Sequence, residues 1–167
     1  MNFNSIDDIR VEGFDGFATI SALQKSKCGQ VPSEPGVYMV LRPNAMPPEF
    51  CSESKGGHFK DRDPTVKVIC LKSRWVEDVL VLYIGKAGSL GGTATLRSRL
   101  KAYMRFGEGE KVGHWGGRYV WQLQNSSRLL VCWKATEPNR LPRNVEKKLI
   151  GDFEQAYGKP PFANINR

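Results

Sequence analysis

Two tripeptides place phenol groups beside glycines: Gly36-Val37-Tyr38 and Tyr83-Ile84-Gly85. Either alone arises by chance in a chain of this length roughly once in twenty, and both in this order roughly once in a thousand. The pair is therefore a signal. Downstream stand Lys86, the run Leu96-Arg97-Ser98-Arg99-Leu100, Tyr103 and Glu146. An arginine fork grips a phosphate through two parallel hydrogen bonds, which lysine does less well. A glutamate supplies a hard oxygen for one Mg²⁺ or Mn²⁺ whose remaining positions are filled by water and phosphate. Displacement at phosphorus needs an activated water, neutralised phosphoryl charge and help for the departing oxygen, and these side chains match those needs.

Positioning them requires strands for the tyrosines and helices for Arg99 and Glu146. Gly36 to Arg42 (GVYMVLR) and Val79 to Ile84 read as strands, rich in β-branched and aromatic residues. Thr95 caps a helix expected from about Leu96 to Phe106, with Leu96, Leu100, Tyr103 and Met104 at helical spacing. Arg99 and Tyr103 share a face of that helix as an i, i+4 pair. Pro142 opens a second helix with Val145, Leu149, Phe153 and Ala156 as its apolar stripe, and Gly158 followed by Pro160 and Pro161 stops it. Val66 to Leu71 also reads as a strand, and Arg118 to Leu123 and Arg128 to Ala135 read as a hairpin turning at Asn125-Ser126-Ser127. A short helix capped by Thr19 or Ser21 is expected within the N-terminal extension, residues 1–30. Residues 43–65, rich in proline and polar side chains, form an expected insertion loop.

The chain has 167 residues, enough for one domain with a sizeable core. Its 25 Lys and Arg against 17 Asp and Glu give a net charge of +8, a field that favours polyanionic partners. Cys28, Cys51, Cys70 and Cys132 form no C-x-x-C pair, and His58 and His114 are not spaced as zinc ligands, so no zinc site is expected. Cys70 and Cys132 lie in apolar runs as reduced core residues would. No secretory or membrane-spanning segment is read, and the expected location is cytoplasmic. His114 and Arg118, flanking Trp115 and a Gly-Gly pair, read equally as candidate nucleic-acid contacts, with Trp115 stacking and His114 or Arg118 on phosphate, and as parts of a structural loop. The insertion residues Lys55, His58, Lys60 and Arg62 read first as a charged surface loop and second as candidates for reaching DNA.

The two tripeptides, Lys86, Arg99, Glu146 and Asn164, in this order across residues 36–164, resemble the GIY-YIG nuclease family. Val37 stands where that family usually has isoleucine, the spacing between the tripeptides is stretched, and Gly91 to Thr95 looks like extra length. The resemblance implies an α+β domain, a central, mostly antiparallel sheet flanked by helices, with the site between the second-tripeptide strand and the helices of Arg99 and Glu146. It implies metal-dependent cleavage of DNA, acting as monomer or homodimer, with RNA as an alternative substrate. An L-x-x-R pattern selects Arg99 over Arg97, with Tyr103 one turn later. A tyrosine is the implied general base, Tyr38 in first place with Tyr83 orienting water or phosphate. With a pKa near 10, a tyrosine is only about one part in a thousand phenolate at pH 7, so Lys86 or the metal is expected to favour the phenolate, or the proton moves in concert with attack. Gly85 and Lys86 are candidate backbone contacts. Asn164, with Asn166 close by, has a supporting task, holding a tyrosine hydroxyl or the C-terminal segment. The rival expectation is a nucleic-acid-binding module that keeps the fold without turnover.

Overall fold

The structure is a computed structural model that describes residues 1–44 and 47–165; Asn166 and two residues of the insertion, Ala45 and Met46, lie outside it. In chain order the elements are α1 (Ile6–Val11), β1 (Asp15–Thr19), α2 (Ile20–Lys25), β2 (Gly36–Leu41), α3 (Val68–Arg74), β3 (Val81–Ala87), α4 (Leu96–Gly107), β4 (Leu130–Ala135) and α5 (Pro142–Tyr157), with 3-10 turns at Arg118–Gln122 and Ser126–Arg128. The strands form one antiparallel sheet in the order β1-β4-β2-β3. The fold is α+β, an antiparallel sheet flanked by helices.

Strand alternation divides the core into two. On β2, Val37, Met39 and Leu41 point to the cluster that holds Leu149 and Phe153 of α5. Tyr38 and Val40 point to the other, which holds Leu96, Leu100 and Tyr103 of α4. Each helix therefore covers one face of the sheet. Thr95 starts α4 through a reciprocal box, its hydroxyl accepting from the Ser98 N–H while the Ser98 hydroxyl accepts from the Thr95 N–H. Pro142 opens α5 and Gly158, at φ 72°, closes it.

Three expectations need correction. Val66 to Leu71 is no strand: the chain forms α3, leaving Ile69 and Cys70 exposed and only Leu71 buried. The outer edge of β3, where another strand would have to pair, is taken by the C-terminal segment, whose Ala163 N–H donates to the Leu82 carbonyl at 2.8 Å. Arg118 to Leu123 makes a 3-10 turn instead of a hairpin arm, because both edges of β4 are already paired with β1 and β2. Residues 1–30 are not an appendage: β1 is an edge strand of the sheet, and Phe3, Ile9 and Phe14 are buried in the α5 cluster.

The insertion is ordered by a fully buried amide. Gln122 donates through Nε2 to the carbonyls of Cys51 at 3.0 Å and Val66 at 2.7 Å, and accepts from the Val66 N–H at 2.9 Å. That side chain ties both ends of the loop to one point. Its middle closes on α4: the Gly57 N–H donates to the Phe106 carbonyl, and a Cβ on Gly57 would stand 1.9 Å from the Glu110 carbonyl oxygen. Only glycine fits there.

Candidate active site

Tyr38 is cross-strand partner to Gly85, and a Cβ at Gly85 would lie 2.4 Å from Tyr38 Cζ. The glycine of one tripeptide thus makes room for the phenol of the other. Tyr38 and Tyr83 meet edge to face with ring centres 5.9 Å apart, and Tyr103 of α4 closes the group at 6.3 and 5.9 Å from them. The Tyr103 hydroxyl donates to the Gly117 carbonyl at 2.9 Å. Gly116 and Gly117 lie against Tyr83, where a Cβ would come within 2.8 Å of its hydroxyl or 2.7 Å of its ring. The Gly-Gly pair is what lets this loop cover the tyrosines.

His114 belongs to this inner group. It has no solvent exposure, stacks on Tyr103 with centres 4.4 Å apart, and places Nε2 3.4 Å from the Tyr38 hydroxyl. Its expected contact with nucleic acid is therefore corrected: a fully buried imidazole meets no ligand strand. Burial, and secondarily the Arg99 charge, hold its pKa well below 6.5, so the ring is neutral at pH 7. Among the described residues its Nδ1 has no hydrogen-bond partner.

The outer group is Arg99, Lys86 and Glu146, all half-buried. The Glu146 pKa is raised by burial, against the opposing charges of Lys86, Arg99 and Arg143. Arg99 acts electrostatically on Tyr38, Tyr83, His114 and Glu146 alike. Yet among the described residues neither Arg99 nor Glu146 makes an ion pair within 4.0 Å. The guanidinium fork and the carboxylate come from the helix on each face, and the charge of each acts on Tyr83. Glu146 fits one position of a hard divalent cation, its lone pairs not being consumed by a salt bridge. No group of three metal-ligating side chains surrounds it among the described residues.

The site's three tyrosines are all buried and differ slightly in exposure. Tyr38 and Tyr103 have no exposure, whereas Tyr83 retains 7%. Tyr38 lies on an inner strand, its hydroxyl facing His114, and its pKa is driven well above 10, first by burial. Of the two tripeptide tyrosines Tyr38 is thus the more enclosed. Tyr83 is pushed up to about 12, by burial first and then by the negative charge of Glu146, while the Tyr38 hydroxyl and Arg99 act to lower it. Lys86 is not among the groups acting on either tyrosine; its charge acts on Glu146.

Asn164 grips a backbone and no tyrosine hydroxyl. Its amide donates to the Ile84 carbonyl at 2.8 Å and its oxygen accepts from the Ile84 N–H at 2.9 Å, as a neighbouring strand would. Placed between Tyr83 and Gly85, it is a positioning residue that fixes the angle of the strand.

No family model, curated protein or solved structure matches the chain. The functional argument therefore rests on the arrangement of these side chains. His114 was singled out by the sequence for a different task; the one signal of its inner place is the density of glycine around it, Gly113, Gly116 and Gly117, which marks close backbone approach.

Proposed function

We propose that the chain is a phosphodiester-cutting endonuclease of the GIY-YIG type, acting on DNA. The observation that carries this reading is the Arg99 fork, half-buried, without an ion pair among the described residues, and placed so that its charge acts on both tripeptide tyrosines and on Glu146. A half-buried cation without a carboxylate partner is a poor stabilising device and a good anion site.

In the proposed mechanism Arg99 binds the scissile phosphate and meets the charge that grows on its oxygens. Tyr83, the less enclosed of the two tripeptide tyrosines, first gives its own proton to solvent; as phenolate it orients the attacking water and takes its proton while the new O–P bond forms and the bond from phosphorus to the departing sugar oxygen breaks. The departing sugar oxygen is protonated from solvent. A divalent cation held by Glu146 would supply Lewis-acid stabilisation of the phosphoryl oxygens. The Glu146 charge itself keeps Tyr83 protonated in the free protein, so neutralising that carboxylate shifts Tyr83 toward the phenolate. Tyr38, Tyr103 and His114 hold Tyr83 in place and exclude water from its inner side.

Incubating the protein with supercoiled plasmid and Mg²⁺ or Mn²⁺ tests this. The expected result is nicked or linear DNA, abolished by EDTA and reduced by about 10²–10³-fold in Arg99→Ala and Glu146→Ala. Binding without cleavage points to a binding module, and cleavage confined to a parallel RNA substrate moves the activity to RNA.

A further inference from the structure

The tip of the insertion reaches the loop that covers Tyr83. Phe59 and Arg62 form an antiparallel bridge, the Arg62 N–H donates to the Phe59 carbonyl at 3.2 Å, and Lys60 and Asp61 between them take positive φ of 53° and 56°. This is a type I′ turn, which prefers Asn-Gly, built here from Lys and Asp at some backbone strain. Its effect is to fix Arg62 over the Trp115 ring, guanidinium carbon 5.4 Å from the centre. Arg118 lies over the same ring at 4.7 Å, and over Tyr119 at 5.0 Å.

Two guanidinium groups are thus ordered on one indole. Among the described residues neither joins an ion pair within 4.0 Å, and Arg118 Nε is buried with no hydrogen-bond partner. Asp63, next to Arg62 in sequence, faces His58 and Thr65 instead. Burial lowers the Arg118 pKa and the Arg62 charge lowers it further, so the pair repel one another as they stand. An anion between them would relieve that repulsion. Stacking on the indole has already removed much of the rotamer freedom that binding otherwise takes from arginine.

We infer that Arg62 and Arg118, ordered on Trp115, form a second phosphate site that holds the nucleic-acid backbone beside the position of cleavage. The identification of the anion as nucleic acid rests on the nuclease reading; the site itself rests on the stacked pair. Trp115 and Arg118 flank Gly116 and Gly117, the residues that lie against Tyr83. The two guanidiniums therefore sit at the end of the same loop that lies against Tyr83. Since Trp115 carries cations, it is not a free platform for a base, and the contact reads backbone and not sequence. Arg62, in the insertion, makes this binding surface a property of the insertion as much as of the sheet.

The test is equilibrium binding of labelled DNA and RNA duplexes of one mixed sequence, in EDTA so that nothing is cut, across a range of salt. Arg62 is exposed, so Arg62→Ala should melt like the parent protein while its slope of log K against log salt falls by about one. Arg118→Lys keeps the charge without the fork and should weaken binding in the same sequence-independent way. A smaller slope on either duplex supports the site and shows which backbone it prefers. Unchanged affinity and slope for Arg62→Ala, or no binding by the parent protein, overturns it. Loss of slope in a protein that never cleaves keeps this site and removes the nuclease reading; Arg99-dependent cleavage with an unaltered Arg62→Ala slope does the reverse.

Discussion

Tyr38, Tyr103 and His114 are fully enclosed, whereas Arg99, Lys86 and Glu146 stand half-open around Tyr83. The inner three are neutral aromatic groups satisfied largely by one another and by the Gly117 carbonyl. The outer three are charged and, among the described residues, join no ion pair within 4.0 Å. Desolvation acts on both layers with different results. In the inner layer it suppresses ionisation and leaves rigid support. In the outer layer it leaves charges whose interactions are completed only by a ligand, and a site of this kind sacrifices stability for function.

The largest stability effect should come from disturbing the inner layer. Gly85→Ala places a methyl 2.4 Å from Tyr38 Cζ, a clash costing about 1–3 kcal/mol, and thermal melting should fall by roughly 3–10 °C. Gly151→Ala is the control: nothing lies within 4 Å of its added Cβ on α5, and the protein should gain about 0.5–1 kcal/mol. If both substitutions behave alike, the tripeptide glycine is not holding space for Tyr38.

The layers should also answer pH in opposite directions. His114 has a folded pKa well below 6.5, so below about that pH the unfolded chain binds a proton the folded chain refuses, and stability falls as pH falls. In His114→Gln that acid-side loss should diminish, as measured by the slope of melting temperature against pH. Glu146 is the reverse case, with a folded pKa above its ordinary 4.5. As pH rises from 4.5 through the folded value, the unfolded chain has already released its proton, and stability is lost. Glu146→Gln should therefore melt slightly higher than the parent at pH 7, while losing activity. A lower melting temperature at pH 7 would show that the carboxylate is stabilising and paired.

The framework of this site was legible where local chemistry dictates structure. Thr95, Pro142 and Gly158 announce the two helices that bring Arg99 and Glu146, and the paired tripeptides announce β2 and β3. What stayed hidden depends on pairing at a distance. Val66 to Leu71 has a strand's composition, but the C-terminal segment already occupies the edge it would need. Arg118 to Leu123 looks like a hairpin arm, but β4 has no free side. His114 reads as a surface residue in a polar loop, and only the fold shows the loop turning inward over Tyr103. The choice between Tyr38 and Tyr83 also waits on topology, because an inner strand and an edge strand give the same phenol different access.

That choice is the central claim, and initial rates of plasmid cleavage by Tyr83→Phe and Tyr38→Phe, measured side by side at saturating Mg²⁺ or Mn²⁺, test it most directly. The account predicts a loss of about 10²–10⁴-fold for Tyr83→Phe and a far smaller loss for Tyr38→Phe, whose hydroxyl only supports its neighbour. A Tyr38→Phe protein that folds and melts normally yet is the more damaged of the two would contradict it.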